Sequence, residues 1–355
     1  MNHKKLFIPG PTEVRPEILQ ALATPQIGHR SKEFQNLYAT LYPKVQDFLY
    51  TKGQVFLFTS SSTGAMEASV RNTVAKRCLS CMCGAFSDRW HTMATSNGIE
   101  ADPLQVEWGK AIKPEMIDEK LKTGKYDAIT FVFNETSTGV MNPLFEVSEV
   151  MKKYPDVMFL VDAVSAMAGV KIEVDKLGID VCLAGVQKAF AMPAGLTICT
   201  ASEKALKKAA NVKNRGYYFD FLTMLKYHEK NQTTTTPTIP HFFALNAQMD
   251  AIAEEGYDNR FERHRKMAKI VQDWSKEHFA LFPEPGYESL TLTCVKNTRG
   301  ISVADLNKEL GKHWITISNG YGKLKEQTFR IAHMGDAQVS DIMGLLELIN
   351  SILGL

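Results

Sequence analysis

Between residues 54 and 200, short uninterrupted apolar runs alternate with helical patterns, and this alternation leaves the chain few folds to choose from. Gln54 to Phe58 reads as a strand, and Gly64 to Val70 opens a helix. Tyr126 to Phe133 reads as another strand, and Glu146 to Lys153 as a helix. Val157 to Val161 and Ile179 to Ala184 continue the series of strands. Strands that are apolar throughout need cover on both faces, which helical crossovers supply. The expected fold class is α/β, with a large, mainly parallel sheet. Such sheets bind ligands outside the carboxyl ends of their strands, so the residues that end each apolar run are the candidates for chemistry.

The texture changes after residue 240. Pro240 to Glu255 and Tyr257 to His278 read as two long helices, the first mostly apolar and the second heavily charged. β-prone segments follow at 289–294, 314–317 and 328–332, with helices at Ser302 to Gly311 and Gln338 to Leu353. Two to three strands with these helices make a small α+β unit. A chain of 355 residues has room for both parts. The expected division is an arm at 1–15, a large α/β domain at 16–240, and a long helix with a small domain at 241–355. Segment 229–239 is polar and helix-poor and reads as a solvated loop.

Charge and composition exclude some classes. A net charge of +2 gives no reason to expect nucleic acid or an anionic membrane as partner. No apolar run reaches the roughly 18 residues of a spanning helix. The N-terminal apolar run Leu6-Phe7-Ile8 is too short for a signal peptide, so a cytoplasmic enzyme is expected. Six cysteines include Cys78-x-x-Cys81-x-Cys83. No second Cys/His pair completes a tetrahedral site, and the nine His residues show no ligand spacing, so no metal is expected. The three thiols read as small hydrophobes on a core strand before Gly84.

Two strand ends carry the strongest chemical signal. One apolar run ends in Asp162, and another is followed by Gly185-Val186-Gln187-Lys188. A Lys at a buried strand end loses hydration, so its pKa falls and its amine becomes nucleophilic. A neighbouring carboxylate can hold a protonated ring nitrogen. Together these needs describe pyridoxal phosphate (PLP) chemistry. Thr59-Ser60-Ser61-Ser62-Thr63-Gly64 follows a strand and opens a helix, which makes either an anion site or a hydroxyl-rich cap. It lacks the Gly-Lys-Ser/Thr ending of a nucleotide P-loop. Glu135-Thr136-Ser137-Thr138-Gly139 is either a plain turn or a further polar strand end. In Gly84 to Trp90 an aromatic, Phe86 or Trp90, either stacks on a flat cofactor or fills the core. Arg330 is either a carboxylate clamp or a surface Arg on an edge strand.

Five segments now stand in order: Phe7 to Val14 around Pro9-Gly10-Pro11, Ser61 to Ala68, Asn134 to Val140, Val161 to Ser165, and Gly185 to Ala189. Together they resemble the class V aminotransferases of PLP fold type I, in the alanine–glyoxylate / serine–pyruvate branch. The resemblance runs from the Pro-Gly-Pro turn to Arg330. It implies that Lys188 holds the cofactor as an aldimine and then carries the proton, with Asp162 on the pyridine nitrogen. It assigns the phosphate to Ser61, Ser62 and Thr63, with Gln187 as a further donor. Phe86 would stack on the ring where the mammalian alanine–glyoxylate enzymes have Trp. Val164 would cover the other face, and Thr136 would lie near the phenolic oxygen. Arg330 would clamp the substrate carboxylate, and Gly10 would line the entrance. Thr235 and Thr238 would reach the phosphate of a neighbouring subunit, with Thr235 standing where relatives have Tyr. The resemblance thus implies a homodimer with shared active sites. It implies transfer from a small L-amino acid, alanine or serine, to a small 2-oxo acid, glyoxylate or pyruvate. One alternative is a phosphoserine or aminophosphonate transaminase, whose extra cation could be Arg30, Arg89 or Lys323. Another is a lyase of the cysteine desulfurase type. That type usually has His before the Lys and a mobile late Cys, whereas Gln187 and Cys294 stand here. A non-catalytic scaffold would have no chemical need for Lys188 and Asp162.

Overall fold

The computed structural model describes residues 3–355. Its strands in chain order are β1 (Lys5–Phe7), β2 (Gln54–Phe58), β3 (Arg77–Met82), β4 (Glu100–Gln105), β5 (Ala128–Val132), β6 (Asn134–Glu135), β7 (Val140–Met141), β8 (Met158–Asp162), β9 (Val181–Gly185), β10 (Thr197–Ala201), β11 (Ala280–Leu281), β12 (Leu292–Lys296), β13 (Ile315–Asn319) and β14 (Thr328–Ala332). Seven form one sheet in the order β2-β10-β9-β8-β5-β3-β4. β10 runs against both neighbours, and every other pairing is parallel.

Every residue of β2, β5, β8, β9 and β10 is buried. The period of two explains how. Ile129, Phe131, Phe159 and Val161 join one core with Phe34, Tyr38 and Leu41 of helix Lys32–Phe48. Ala128, Val132, Met158 and Leu160 point the other way, onto Ala65, Met66 and Trp90 of helices Ser62–Thr73 and Ala85–Ser96. Continuous apolar strands are thus two interleaved faces, each with its own helical layer. Trp90 belongs to this core: it is fully buried and its Nε1 donates to the Met66 carbonyl at 3.1 Å. Cys78, Cys81 and Cys83 are also buried, and burial pushes the Cys78 and Cys83 thiols up to about 12. Among the described residues, no group of three His, Cys, Asp or Glu is arranged to hold a metal ion. No helix among them is long and apolar enough to cross a membrane.

The second sheet is larger than the sequence indicates. It has five strands in the order β1-β13-β14-β12-β11, rather than two or three. β1, expected as part of a separate arm, pairs in parallel with β13, and Phe7 packs with Val303, Leu306 and Ile317. A three-residue strand and a two-residue one carry too little periodicity to be read locally. Helix boundaries also move. The helix expected over 146–153 is Leu144–Met151, starting directly after Pro143, whose fixed φ suits a helix entry. The β-prone stretch at 289–294 gives the strand Leu292–Lys296, because the Ser289 hydroxyl accepts the N–H groups of Thr291 and Leu292 and turns the chain first.

Candidate active site

The carboxyl edge of the large sheet assembles the site. Ser61, Ser62 and Thr63 follow β2, Phe86 follows β3, Asn134 and Thr136 follow β5, Asp162 ends β8, and Gln187 and Lys188 follow β9. All of these, with Gly10, Met66, Arg89 and Val164, line one cavity of about 280 Å3. Parallel strands bring this about, because they deliver all their C-terminal ends to the same side.

The N-terminal arm straps over Lys188. Thr12 N–H donates to the Gln187 carbonyl at 3.1 Å, and the Thr12 hydroxyl donates to the Lys188 carbonyl at 2.8 Å. The Lys188 amine donates to the Pro9 carbonyl. Gly10 has φ +122°, and a Cβ there would come within 2.6 Å of Lys188 Cδ. Glycine meets both demands, a left-handed backbone and a close approach.

Electrostatics separate the two titrating groups. Loss of hydration lowers the Lys188 amine to about 8; the Arg330 charge adds to this, and Asp162 opposes it. Asp162 is pushed up to about 7, chiefly by burial, against the Val164 N–H bond at 2.8 Å. The amine is therefore partly neutral near neutral pH, as a proton carrier needs. Ser61 precedes helix Ser62–Thr73 without capping it, and the buried Ser62 Oγ has no partner. Asn134 Nδ2 donates to the Ser165 carbonyl at 2.8 Å and Thr291 Oγ1 at 2.9 Å, while its Oδ1 is buried and unpartnered. Free hydroxyls at a helix start suit a phosphate, and the carboxylate and amine suit a pyridine aldehyde.

Arg330 lies on β14, an interior strand of the small sheet rather than an edge strand. Its side chain is buried and is not among the residues that line the cavity, but it bonds to Thr136, which is. Nη1 donates to the Thr136 carbonyl at 3.2 Å, while Nε and Nη2 donate to the Asn319 carbonyl at 3.3 and 3.1 Å. Thr235 and Thr238 lie outside the cavity of their own chain. The Thr238 hydroxyl pairs with His241 Nδ1 at 2.7 Å, and the Thr238 N–H donates to Thr59 Oγ1 at 3.0 Å. Local sequence gives no role to Thr12, Met66, Asn134 or Tyr321 and no position to Arg89, yet the structure gathers all five at the site. The Tyr321 ring packs 5.4 Å from the Phe86 ring and lies 5.5 Å from the Arg330 guanidinium, and its hydroxyl accepts from Arg89 Nη2 at 3.4 Å. A polar Asn directly after an apolar strand was a usable signal for Asn134, whereas Tyr321 arrives from the other sheet and has none.

Residues 13–328 match the family model described as Aminotransferase class-V. The chain belongs to this family. An uncharacterized aminotransferase of Methanocaldococcus jannaschii is 39% identical, covering 97% of this chain and 91% of that one. The serine–glyoxylate aminotransferase of Methylorubrum extorquens is 30% identical, over 97% and 89%. The crystal structure of alanine–glyoxylate aminotransferase from Nostoc sp. superposes with a TM-score of 0.92 at 25% identity, covering 99% of this chain and 96% of that one. This class V aminotransferase has the fold of the type I PLP enzymes, and its cofactor is pyridoxal phosphate. The unpartnered Ser62 hydroxyl, the Lys188 amine and the buried Asp162 fit that group.

Proposed function

We propose that this aminotransferase moves an amino group from a small L-amino acid, alanine or serine, to glyoxylate or pyruvate. The observation that carries the reading is Arg330, buried and bonded to the carbonyl of Thr136, which lines the small cavity that Lys188 and Asp162 share. The names of the Methylorubrum and Nostoc proteins support the same substrate class.

When bound, the cofactor supplies an electron sink for charge that develops at the substrate Cα. Ser61, Ser62, Thr63 and Gln187 would hold its phosphate, Phe86 and Val164 would flank its ring, and Thr136 would stand near its phenolic oxygen. Asp162 would keep the ring nitrogen protonated. Lys188 Nζ takes the proton from the substrate Cα. Arg330 orients the substrate carboxylate through paired hydrogen bonds, and Gly10 leaves the entrance open. The reading keeps residues 16–240 as the cofactor unit and 241–355 as the unit that brings Arg330, with 1–15 joining them. It also has a cytoplasmic homodimer, in which Thr235 and Thr238 serve the neighbouring subunit's phosphate. Sedimentation at micromolar concentration is expected to give twice the chain mass; a monomer with full activity would contradict the shared site.

Arg330→Ala is expected to lower kcat/KM for the amino donor about 100-fold, the loss of two charge-assisted hydrogen bonds, with Arg330→Lys recovering only part. Steady-state rates with each donor check this.

One observation favours a second reading, a phosphorylated donor: Arg89 adds a guanidinium to the cavity wall. Arg30 is committed to the Thr233 and Thr234 carbonyls, and Lys323 stacks 4.3 Å from the Trp108 ring. Comparing serine with phosphoserine as donors, with glyoxylate as acceptor, separates the two. Serine is expected to be the better donor; a tenfold preference for phosphoserine would overturn the first reading. The lyase alternative loses support from Cys294, which is buried in β12 with its thiol pushed up to about 11. A buried, protonated strand thiol is a poor nucleophile.

A further inference from the structure

Glu135 is fully buried between the two walls of the cavity. Its carboxylate collects donors from two directions. Phe86 N–H reaches Oε2 at 3.2 Å and Ser87 N–H reaches it at 3.0 Å. From its own turn, Ser137 N–H and the Ser137 hydroxyl donate to Oε1 at 3.1 and 2.6 Å. Ser137 Oγ in turn accepts the Ala85 N–H at 3.0 Å. The first three N–H groups of helix Ala85–Ser96 are thereby held by a segment more than one crossover away. Gly84, which precedes the helix, has no side chain to cap it, and a Cβ there would overlap Glu135 Cγ and Cδ. The carboxylate occupies the space where a cap side chain would sit, at the positive end of the helix dipole.

The neighbours of these atoms are the two ends of the reaction site. Phe86 lines the cavity on one side. Thr136, the residue after Glu135, lines it on the other, and its carbonyl accepts Arg330 Nη1 at 3.2 Å. We propose that Glu135 is a positioning residue that fixes the spacing between the ring platform at Phe86 and the carboxylate clamp at Arg330. This rests on the reading that Phe86 meets the cofactor ring and Arg330 meets the substrate. A buried carboxylate with charge-assisted bonds to both walls makes a short, stiff link. Glu135→Gln keeps the shape but has only one acceptor oxygen, so either the Phe86–Ser87 pair or Ser137 faces an NH2 group. Both ends of the link then shift.

The test titrates purified apoprotein with PLP and reads the cofactor dissociation constant by absorbance, the position of the bound band, and KM for the amino donor. In Glu135→Gln the dissociation constant and KM are each expected to rise about tenfold, the loss of one charged hydrogen bond, and the band to move. Ser302→Ala is the control. It removes a helix cap of similar worth in the small domain, the 3.1 Å bond from Asp305 N–H, and should lower Tm without moving either constant. If Glu135→Gln lowers Tm but leaves cofactor affinity, band and KM at wild-type values, Glu135 is only structural and the inference fails. If it does not fold, Ser137→Ala cuts the hydroxyl that bonds both walls; it should raise both constants about threefold, and unchanged constants again overturn the inference. The underlying reading fails separately: Phe86→Ala would leave cofactor affinity unchanged, or Arg330→Ala would leave KM unchanged.

Discussion

Lys188→Ala is expected to lower amino transfer by at least about 1,000-fold while the protein remains folded and still binds PLP. The amine is lowered to about 8 by lost hydration and the Arg330 charge, so it exchanges a proton readily near neutral pH. Among the described residues no other Lys lines the cavity, and the arm that crosses it contributes the Pro9 carbonyl and Gly10, neither of which can carry a proton. Added small primary amines should restore part of the rate, because they fit the space vacated by the side chain. Rates with and without such an amine check the assignment; an unchanged rate in the variant would remove Lys188 from the chemistry. Stability should move the other way. The folded apoprotein holds the Lys188 proton less tightly than the unfolded chain, so the contribution of this amine to apoprotein stability rises with pH between about 8 and the ordinary value of 10.5. The Ala variant should lose that slope.

Asp162→Asn is the second large effect, and it splits stability from function. Burial raises this carboxyl from 3.8 to about 7. The folded apoprotein therefore binds the proton more tightly than the unfolded chain does. The contribution of this carboxyl to stability is complete below about pH 4, is lost as pH rises through the window from about 4 to 7, and stays lost above it. Asn carries no charge to bury. At pH 8 the apo variant should be more stable than wild type, with a ceiling of about 4 kcal/mol, and at pH 4 the difference should vanish. Activity should fall about 100- to 1,000-fold, the usual cost of removing one group that stabilises developing charge. Thermal melts of the apoproteins at both pH values, beside the rates, check the pair. A variant less stable than wild type at pH 8 would mean that Asp162 is already compensated within the empty fold.

These two residues were legible because their signals are local. Asp162 ends an apolar run and Lys188 follows one, and a charge at the end of a buried strand has few bland explanations. Ser61, Ser62 and Thr63 also follow an apolar run, where local sequence allows an anion site or a hydroxyl-rich cap, and the cavity lining brings them to the same edge. Local sequence leaves Arg330 open between a carboxylate clamp and a surface Arg on an edge strand, and the flanking strands β13 and β12 remove the second. β13 itself gains its outer partner from β1, more than 300 residues away in sequence. That pairing leaves no periodic trace in three residues. Glu135 was visible only as part of a turn, because its partners Phe86 and Ser87 come from another strand end. Tyr321 joins the site from the second sheet. Contacts that cross between elements decide these positions, and a sequence read one window at a time does not contain them.

The most direct test of the account follows the loaded protein's visible absorption while L-alanine or L-serine is added without a 2-oxo acid. A stoichiometric amount of either amino acid is expected to shift the band to the near-ultraviolet amine form, and glyoxylate or pyruvate is then expected to restore it. A loaded protein whose band stays unchanged with both amino acids would contradict it.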